Sequence, residues 1–356
     1  MLTDHLPHGD GLVALGFIEQ IARRGHELHV ATGGLDLRSE LPQNVHLHRL
    51  GKPTSRMRYM RQVRRLYRQL GEFDLVHQLN PVDVGVSLAV TGARASLVLG
   101  PYVPDWAPSG AGADAPQSRA VRQAKRVVRA LQQRRATTVL LSTAAARSKL
   151  SDAGGLRVYE LGGGIDPTAW HPTAGGGAQD VLFLANLEVR KGIHVLLDAF
   201  ARLAPDLPDA RLLIAGEGPE AGVVRRRASE LPRVQLLGHL DRDRVIAAMQ
   251  SCDVYCLPSY GEPYGMTALE AMACARPVVA TAAGGLQHLV PDGGGRKVAP
   301  GDPGALAGAL RELLLDPGLR REMGRRNRAA IEQRFAWSRV GDRLEQIYDE
   351  TLNAAR

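Results

Sequence analysis

Short runs of aliphatic residues alternate along the chain with longer stretches whose apolar positions recur every three or four residues. The short runs are typical of buried parallel strands and the longer stretches of amphipathic helices. The alternation therefore predicts an α/β fold with parallel sheets covered by helices on both faces. The predicted strands form two sets, Leu28–Ala31, Leu75–His77, Leu97–Leu99 and Val139–Leu141, followed by Val181–Ala185, Leu212–Ala215, Val234–Leu237, Val254–Leu257 and Val278–Thr281.

Two domains are expected, because 356 residues exceed the size at which one hydrophobic core usually stops growing. Asp166–Gln179 lies between the two sets of strands and contains two prolines and three consecutive glycines, so the boundary is predicted there. The last stretch, Trp337–Leu352, has helical spacing and no strand after it, and we expect it to pack on the first domain. The predicted division is 1–170, 171–335 and a C-terminal helix over 336–356.

Composition argues against several classes of protein. No apolar run approaches the roughly 18 residues of a membrane span, and the start of the chain lacks a signal-peptide pattern, so a cytoplasmic protein is expected. The three cysteines have no ligand-like spacing and the eleven histidines show no metal-like cluster, which predicts neither disulfides nor a metal site. Aromatic residues make up only 4% and no nucleic-acid module is recognisable, so nucleic acid is not an expected partner.

Two predicted helices, Arg56–Leu70 and Arg119–Arg135, are rich in arginine, in a chain of net charge +8. Both are amphipathic, and the second has Val121, Val127 and Leu131 in its apolar stripe. We interpret each stripe as facing the core, with a solvated basic face opposite it. The alternative is peripheral docking of these helices on an anionic membrane or an anionic acceptor.

The segment from Glu262 to Glu270 carries the strongest functional signal. An apolar strand ends at Pro258, and the chain continues through a glycine-containing turn into a helix. Glu262 is expected at the carboxyl end of a parallel strand, where open α/β sheets bind ligands. The helix start at Gly265–Thr267 offers free backbone amides to a phosphate. The alternative is structural, because Thr267 and Glu270 also fit a capping box.

A second candidate is Lys191, one of five lysines, which follows Arg190 at the end of another predicted strand. A cation there suits a departing diphosphate. The weaker motifs favour structural roles. Gly216–Glu220 lacks the spacing of a nicotinamide-binding loop, and Asp241 of an Asp-x-Asp sequence is predicted to be a helix N-cap rather than a metal ligand. His77, at a strand end in the first domain, is a candidate for contacting substrate.

These motifs resemble the family 4 glycosyltransferases of GT-B fold, in which two Rossmann-like domains face each other across a cleft. The resemblance covers nearly the whole chain. It is carried by the Glu262–Glu270 spacing together with Arg190-Lys191-Gly192, Gly216-Glu217-Gly218-Pro219, Leu237-Gly238-His239-Leu240, Gly163-Gly164-Ile165-Asp166 and Arg24-Gly25-His26-Glu27. The first of these is fairly specific, and the others support it by their order.

The resemblance implies a role for each matching residue. Glu262 is expected to contact the donor sugar, Glu270 the ribose and Lys191 the diphosphate, which makes a metal or other cofactor unnecessary. The remaining donor contacts implied are Gly11, Asn186, Arg190, His239 and Leu240, with Gly265, Met266 and Thr267 through their amides. The acceptor is expected on the first domain near Tyr102 and Trp106.

Three positions depart from the family pattern. Asn186 stands where relatives have a diphosphate-binding arginine, so Arg190 is expected to substitute. The first strand is nearly missing from the pattern, which opens at Leu2-Thr3. Gly100-Pro101-Tyr102 occupies the place of a family histidine beside the donor sugar, which leaves His77, Tyr102 or the backbone to take that role.

The sequence thus predicts a retaining glycosyltransferase that uses a UDP- or GDP-linked sugar. Its acceptor is expected to be a secondary metabolite or oligosaccharide, with a lipid or polysaccharide at a membrane surface as the alternative. A nucleotide-sugar-binding protein with impaired catalysis is a further alternative, motivated by Asn186 and the short first strand. A GT-B epimerase would need acid and base residues around the sugar that the sequence does not reveal.

Overall fold

The computed structural model describes residues 2–3, 10–32, 41–50, 56–79, 86–90, 95–104, 118–151, 155–173, 177 and 179–354. Its strands are β1 (Leu2–Thr3), β2 (Leu28–Thr32), β3 (Val45–Arg49), β4 (Leu75–Gln78), β5 (Ser96–Tyr102), β6 (Thr138–Leu141), β7 (Arg157–Glu160), β8 (Asp180–Leu184), β9 (Arg211–Ala215), β10 (Val234–Gly238), β11 (Val254–Leu257), β12 (Val278–Thr281) and β13 (Gly295–Val298).

The α-helices of the same residues alternate with these strands. They are α1 (Asp10–Ala22), α2 (Arg56–Leu70), α3 (Arg119–Gln133), α4 (Ile193–Leu203), α5 (Ala221–Ser229), α6 (Arg242–Ser251), α7 (Met266–Ala273), α8 (Leu286–Leu289), α9 (Pro303–Leu315), α10 (Pro317–Ala330) and α11 (Trp337–Asn353). Short 3₁₀ turns form at Val86–Val90, Ala144–Lys149 and Val189–Lys191, and a π-turn at Ile331–Phe335 follows α10.

The chain divides into two compact units. Among the described residues, the first unit comprises those up to 104, those from 118 to 164 and those from 337 onward, and the second comprises 165–336. The second unit therefore begins at Ile165, inside the predicted first domain. The reason is packing: Ile165 donates its amide hydrogen to the Phe335 carbonyl oxygen at 2.8 Å, and Trp170 is buried in the core of the second unit.

The first unit is built on a seven-stranded parallel sheet in the order β3-β2-β1-β4-β5-β6-β7. The short first strand is present, because Leu2–Thr3 pairs with both β2 and β4 at the centre of the sheet. Helix α11 packs against α1, where Gly16 leaves no room for a Cβ beside the indole ring of Trp337. The C-terminal helix thus belongs to the first unit.

The second unit contains a six-stranded parallel sheet in the order β10-β9-β8-β11-β12-β13. The four inner strands are apolar at most positions, and residues such as Phe183 and Val279 are fully buried between helices on both faces. The order reverses between β8 and β11, which are hydrogen-bonded neighbours although three α-helices and two strands lie between them in sequence. Open parallel sheets bind ligands beyond the carboxyl ends of the strands at such a reversal.

The two basic helices differ in how they pack. Helix α2 buries Tyr59 and Val63 and exposes its arginines from Arg58 to Arg68, as the pattern predicts. The prediction for α3 is wrong, because Val121, Val127 and Leu131 of its apolar stripe are 45%, 50% and 40% exposed. The side chains that α3 buries are Gln132 and Gln133 near its C-terminal end. Within the described residues, no helix has both the length and the apolar character needed to cross a membrane.

Candidate functional site

An ion pair joins the two residues that the sequence singled out. Lys191 ends the 3₁₀ turn after β8, and Glu262 lies in the loop after β11. The Lys191 Nζ donates a hydrogen bond to Glu262 Oε2 at 2.6 Å, and the two side chains are only 15% and 12% exposed. Because β8 and β11 are neighbours, their carboxyl ends bring both groups to the point where the strand order reverses.

The backbone of this site is fixed by contacts between the two loops. The Arg190 carbonyl oxygen accepts hydrogen bonds from the Tyr260 amide and the Ser259 hydroxyl, both at 3.0 Å. Gly192 has a φ of +76°, and a Cβ there would collide with the Pro258 carbonyl oxygen. Only glycine can adopt this positive φ and lie this close to the Pro258 carbonyl oxygen without strain. The Arg190-Lys191-Gly192 turn therefore holds the lysine at a defined place beside the Glu262 loop.

Helix α7 begins next to the ion pair with its amide groups open. Gly265 is the N-cap, with a φ of +97°, and a Cβ at Gly265 would lie 3.6 Å from Glu262 Cγ. The amides of Gly265, Met266 and Thr267 donate to no acceptor among the described residues. A helix start with three free N–H groups carries a partial positive charge and attracts anions.

Glu270 does not cap α7. Thr267 lies inside the helix, and its hydroxyl oxygen accepts a 2.6 Å hydrogen bond from Tyr255. The Glu270 carboxylate has no hydrogen-bond partner among the described residues, and burial raises its pKa to about 8. The capping-box alternative is therefore wrong. Tyr255, which the sequence analysis missed, orients Thr267 at the helix start; a tyrosine in an otherwise aliphatic strand was its signal.

The glycine pair after β12 serves the same loop. A Cβ at Gly284 would collide with the Glu262 carbonyl oxygen, and one at Gly285 with that of Pro263. The Gly285 amide also donates a hydrogen bond to the Glu262 carbonyl oxygen at 2.6 Å. Because these glycines have no side chain, the backbone of the Glu262 loop packs directly against them. This packing holds Glu262 in place.

The other donor candidates surround the ion pair or lie along the same sheet edge. Arg190 binds Glu188 through its Nε, and this hydrogen bond lowers the pKa of the Glu188 carboxyl. Asn186 is exposed in the loop after β8. His239 is exposed and Leu240 half-buried directly after β10, the edge strand on the β9 side of the sheet.

The prediction for His77 is corrected by its surroundings in the first unit. Its side chain is 1% exposed, and both ring nitrogens are bonded, Nδ1 to the Tyr348 hydroxyl at 2.6 Å and Nε2 to the Gly100 carbonyl oxygen at 2.9 Å. Burial lowers the pKa of His77 to about 3, so the ring is neutral. Since a carbonyl oxygen only accepts, Nε2 carries the hydrogen and Nδ1 accepts from tyrosine. His77 thus ties β4 to α11 and has no free atom for a substrate.

Of the two residues predicted to contact the acceptor, the structure describes only Tyr102, and that residue is buried. Tyr102 is 2% exposed in a small cluster of apolar side chains from β5 and β6, and burial raises the pKa of its hydroxyl to about 12. This contradicts its assignment to the acceptor. Trp106 lies outside the described residues. Gly11, which the resemblance implies as a donor contact, is buried in the first turn of α1.

The structural interpretation of Asp241 is confirmed. Asp241 is the N-cap of α6, and its Oδ1 accepts a 2.9 Å hydrogen bond from the Arg244 amide. The cysteines Cys252, Cys256 and Cys274 are free and buried. The statement that no histidines cluster is wrong, however. One ligand atom each of Glu27, His29 and His46 lies within 4.8 Å of the others, and the alternating Glu-x-His and His-x-His spacings were the missed signal.

The second unit is similar in sequence to a known protein family. Residues 171–330 match the family described as glycosyl transferases group 1. The similarity to that family is thus confined to the second unit. The bounds of the matched segment enclose both loops of the ion pair and the whole of α7.

Two curated relatives extend this match. A glycogen synthase of Mycobacterium tuberculosis is 34% identical over 192 residues, which are 52% of this chain and 46% of that protein. A phosphatidyl-myo-inositol mannosyltransferase of the same organism is 29% identical over 295 residues, 78% of this chain and 74% of that protein. The chain spans about half the length of the first curated relatives it matches.

A solved structure shows that the likeness extends to the whole fold. The crystal structure of Anabaena HepE in complex with UDP and glucose has a TM-score of 0.75 to this chain, at 21% identity, and the match covers 98% of each chain. This confirms the predicted GT-B fold, built from two Rossmann-like domains.

Proposed function

We propose that this protein is a retaining glycosyltransferase that takes a sugar from a UDP- or GDP-linked donor without a metal ion. The observation that carries the proposal is the Lys191–Glu262 ion pair beside the open start of α7. A lysine and free amides attract a diphosphate, while a carboxylate accepts hydrogen bonds from sugar hydroxyls. The similarity of the second unit to the group 1 family supports the same class of reaction.

In the proposed reaction, Lys191 and the amides of Gly265–Thr267 neutralise the diphosphate as it departs. Glu262 orients the donor sugar, and Glu270 accepts hydrogen bonds from the ribose. An acceptor hydroxyl forms a bond to the anomeric carbon on the face from which the diphosphate leaves, so the anomeric configuration is retained. The carbon–oxygen bond to the diphosphate breaks, and the hydroxyl proton passes to the departing phosphate oxygen.

The remaining donor contacts follow from position. His239 and Leu240 at the end of β10 are proposed to contact the base, and Arg190 to supply the cation that Asn186 lacks. Anabaena HepE is named in its structure with UDP and glucose, which favours a uridine donor. The mannosyltransferase relative is named for a phosphatidyl-myo-inositol acceptor, which keeps a lipid among the acceptor classes beside secondary metabolites and oligosaccharides.

Calorimetric titration with UDP and GDP, followed by an assay of donor hydrolysis and transfer, tests the proposal. Lys191→Gln should weaken nucleotide binding by about 10- to 100-fold, because a charge-assisted hydrogen bond contributes roughly 1.5–3 kcal/mol. Lys297→Gln is the matched control, since Lys297 is a half-buried lysine of the same unit that binds the Gln287 carbonyl oxygen. Equal affinities of the two variants would contradict the donor site. Binding without turnover over a broad panel would instead support the catalytically impaired alternative.

An acceptor at an anionic membrane surface is the second candidate, and the exposed face of α3 favours it. This face exposes Val121, Val127 and Leu131 to solvent. The same helix carries five basic residues from Arg119 to Arg129. Helix α2 adds a polar surface formed by Arg61, Arg64, Arg65, Arg68 and Gln69. An apolar stripe between basic side chains is the arrangement of helices that lie in a membrane interface.

Vesicle co-sedimentation tests this second candidate. The protein should pellet with phosphatidylglycerol vesicles at low salt and be released by high salt, because surface charges are screened. Val127→Asp should reduce the pelleted fraction, while Leu315→Asp, at another exposed leucine in the second unit, should leave it unchanged. Absence of binding to anionic vesicles at low salt would remove the membrane acceptor from the proposal.

A further inference from the structure

The edge of the first sheet carries a cluster of imidazole and carboxylate groups that the proposed reaction does not use. Strand β3 is the outermost strand beside β2, and His29 of β2 pairs in register with His46 of β3. Side chains two residues apart in a strand point to the same face, so His48 joins His46, and Glu27, directly before β2, reaches His29 and His46. The parallel register thus brings one carboxylate and three imidazoles together.

Two distances within this cluster are close to those of a metal site. Glu27 Oε1 lies 3.3 Å from His46 Nε2 and 3.7 Å from His29 Nε2. In tetrahedral zinc sites the ligand atoms lie about 2.0–2.2 Å from the ion, which places them roughly 3.3–3.5 Å from each other. The ligand atoms of all three residues lie within 4.8 Å of one another, so a turn of the imidazole rings toward Glu27 lets them share one ion.

The surroundings hold the ligands in this arrangement. His29 Nδ1 lies 3.0 Å from His48 Nε2, a hydrogen bond that fixes the ring and leaves Nε2 of His29 on the side of Glu27. The His29 ring also stacks on His46, with the centroids 4.7 Å apart, and meets the edge of Phe73. Metal-binding histidines are usually oriented by such a hydrogen bond from the second ring nitrogen. The His46 side chain is 47% exposed, so an ion can enter from solvent.

We propose that Glu27, His29 and His46 form a binding site for a divalent transition-metal ion that prefers imidazole ligands, with Zn²⁺ as the probe ion. Two imidazoles and one carboxylate suit zinc, and three protein ligands leave a fourth position for water or another donor. The bound ion joins β3 to β2, and binding to the folded state alone stabilises that state. The site lies in the first unit and is independent of the proposed donor site in the second.

Calorimetric titration of the full chain, prepared without a histidine tag, with ZnCl₂ tests the proposal. We expect saturable binding of one ion and a rise in melting temperature with Zn²⁺. His46→Gln and Glu27→Gln, at two exposed positions, should each weaken binding by about tenfold or more. His288→Gln, at an exposed histidine of the second unit, is the matched control and should bind like the wild type.

The visible spectrum of the Co²⁺-loaded protein gives a second readout, because its intensity reports a low coordination number. His46→Gln should abolish the intense bands, and His288→Gln should keep them. Zinc affinity that is the same in the wild type, His46→Gln and Glu27→Gln overturns the proposal, as does a wild type that binds no zinc.

Discussion

Replacing Glu270 by glutamine is expected to stabilise the protein at alkaline pH and to weaken nucleotide binding. Burial beside the start of α7 raises the pKa of the Glu270 carboxyl from 4.5 to about 8. In the unfolded chain the carboxyl ionises above its ordinary pKa, whereas in the folded protein it keeps its proton until about pH 8. The folded state therefore binds more protons between these values, and the free energy of unfolding falls as pH rises through them.

The size of the effect follows from the pKa difference. Each pKa unit corresponds to about 1.4 kcal/mol, so the cost of ionised Glu270 has an upper limit of about 5 kcal/mol above pH 8. Because Glu270 is half-buried and water reaches part of its side chain, we expect about 2 kcal/mol in practice. Glutamine keeps the shape but has no charge. The gain in stability should thus be near zero at about pH 5 and largest at about pH 9.

Urea unfolding of both proteins over this pH range measures the prediction. Glu312→Gln is the control of opposite sign, because the hydrogen bond from Arg296 lowers the pKa of Glu312, and its loss should destabilise the protein above the ordinary carboxyl pKa. If the free energy of unfolding changed with pH in the same way for the wild type and Glu270→Gln, the reasoning would be refuted. The same variant should bind UDP or GDP more weakly, since a carboxylate that is costly to the fold is expected to serve a ligand.

The remaining predictions concern the supports of the two units. Gly192→Ala should destabilise the second unit by about 2 kcal/mol or more and reduce nucleotide binding, because φ is +76° and the new Cβ meets the Pro258 carbonyl. Gly222→Ala in α5 has open space around it and should be neutral or stabilising in the same urea unfolding experiment. Tyr348→Phe should cost about 1–3 kcal/mol, because Nδ1 of buried His77 loses its donor. Unchanged stability of Tyr348→Phe, or a ¹⁵N spectrum with the proton on Nδ1, would contradict this assignment.

Most of the strands could be predicted because buried parallel strands are continuous aliphatic runs. All nine predicted strands are present, and four were missed. Three of the missed strands, β3, β7 and β13, are edge strands, and the fourth is only two residues long. An edge strand has one neighbour and exposes more of its side chains, so sequences such as Val-His-Leu-His-Arg in β3 carry polar residues that hide the aliphatic signal.

The donor candidates Lys191 and Glu262 were predictable for a related reason. Each follows an inner parallel strand, and the carboxyl ends of neighbouring parallel strands meet at one edge of the sheet. The prediction for His77 was wrong because the environment of this side chain depends on Tyr348, which is 271 residues away in sequence. The prediction for Tyr102 was wrong for a similar reason, because a residue at the end of an inner strand can point into the core as well as outward. Local pattern identifies strand ends, but the direction of one side chain depends on distant packing.

The Lys191–Glu262 pair also constrains how a donor could bind under the proposed function. Removing one partner of a largely buried ion pair leaves the other charge without compensation, which is costly. A diphosphate that drew Lys191 away would leave Glu262 in that state, unless sugar hydroxyls supplied hydrogen bonds to the carboxylate at the same time. The sugar and the diphosphate are adjacent in one donor molecule and can meet both groups together. The pair therefore favours the complete nucleotide sugar over a free nucleoside diphosphate as the ligand of this site.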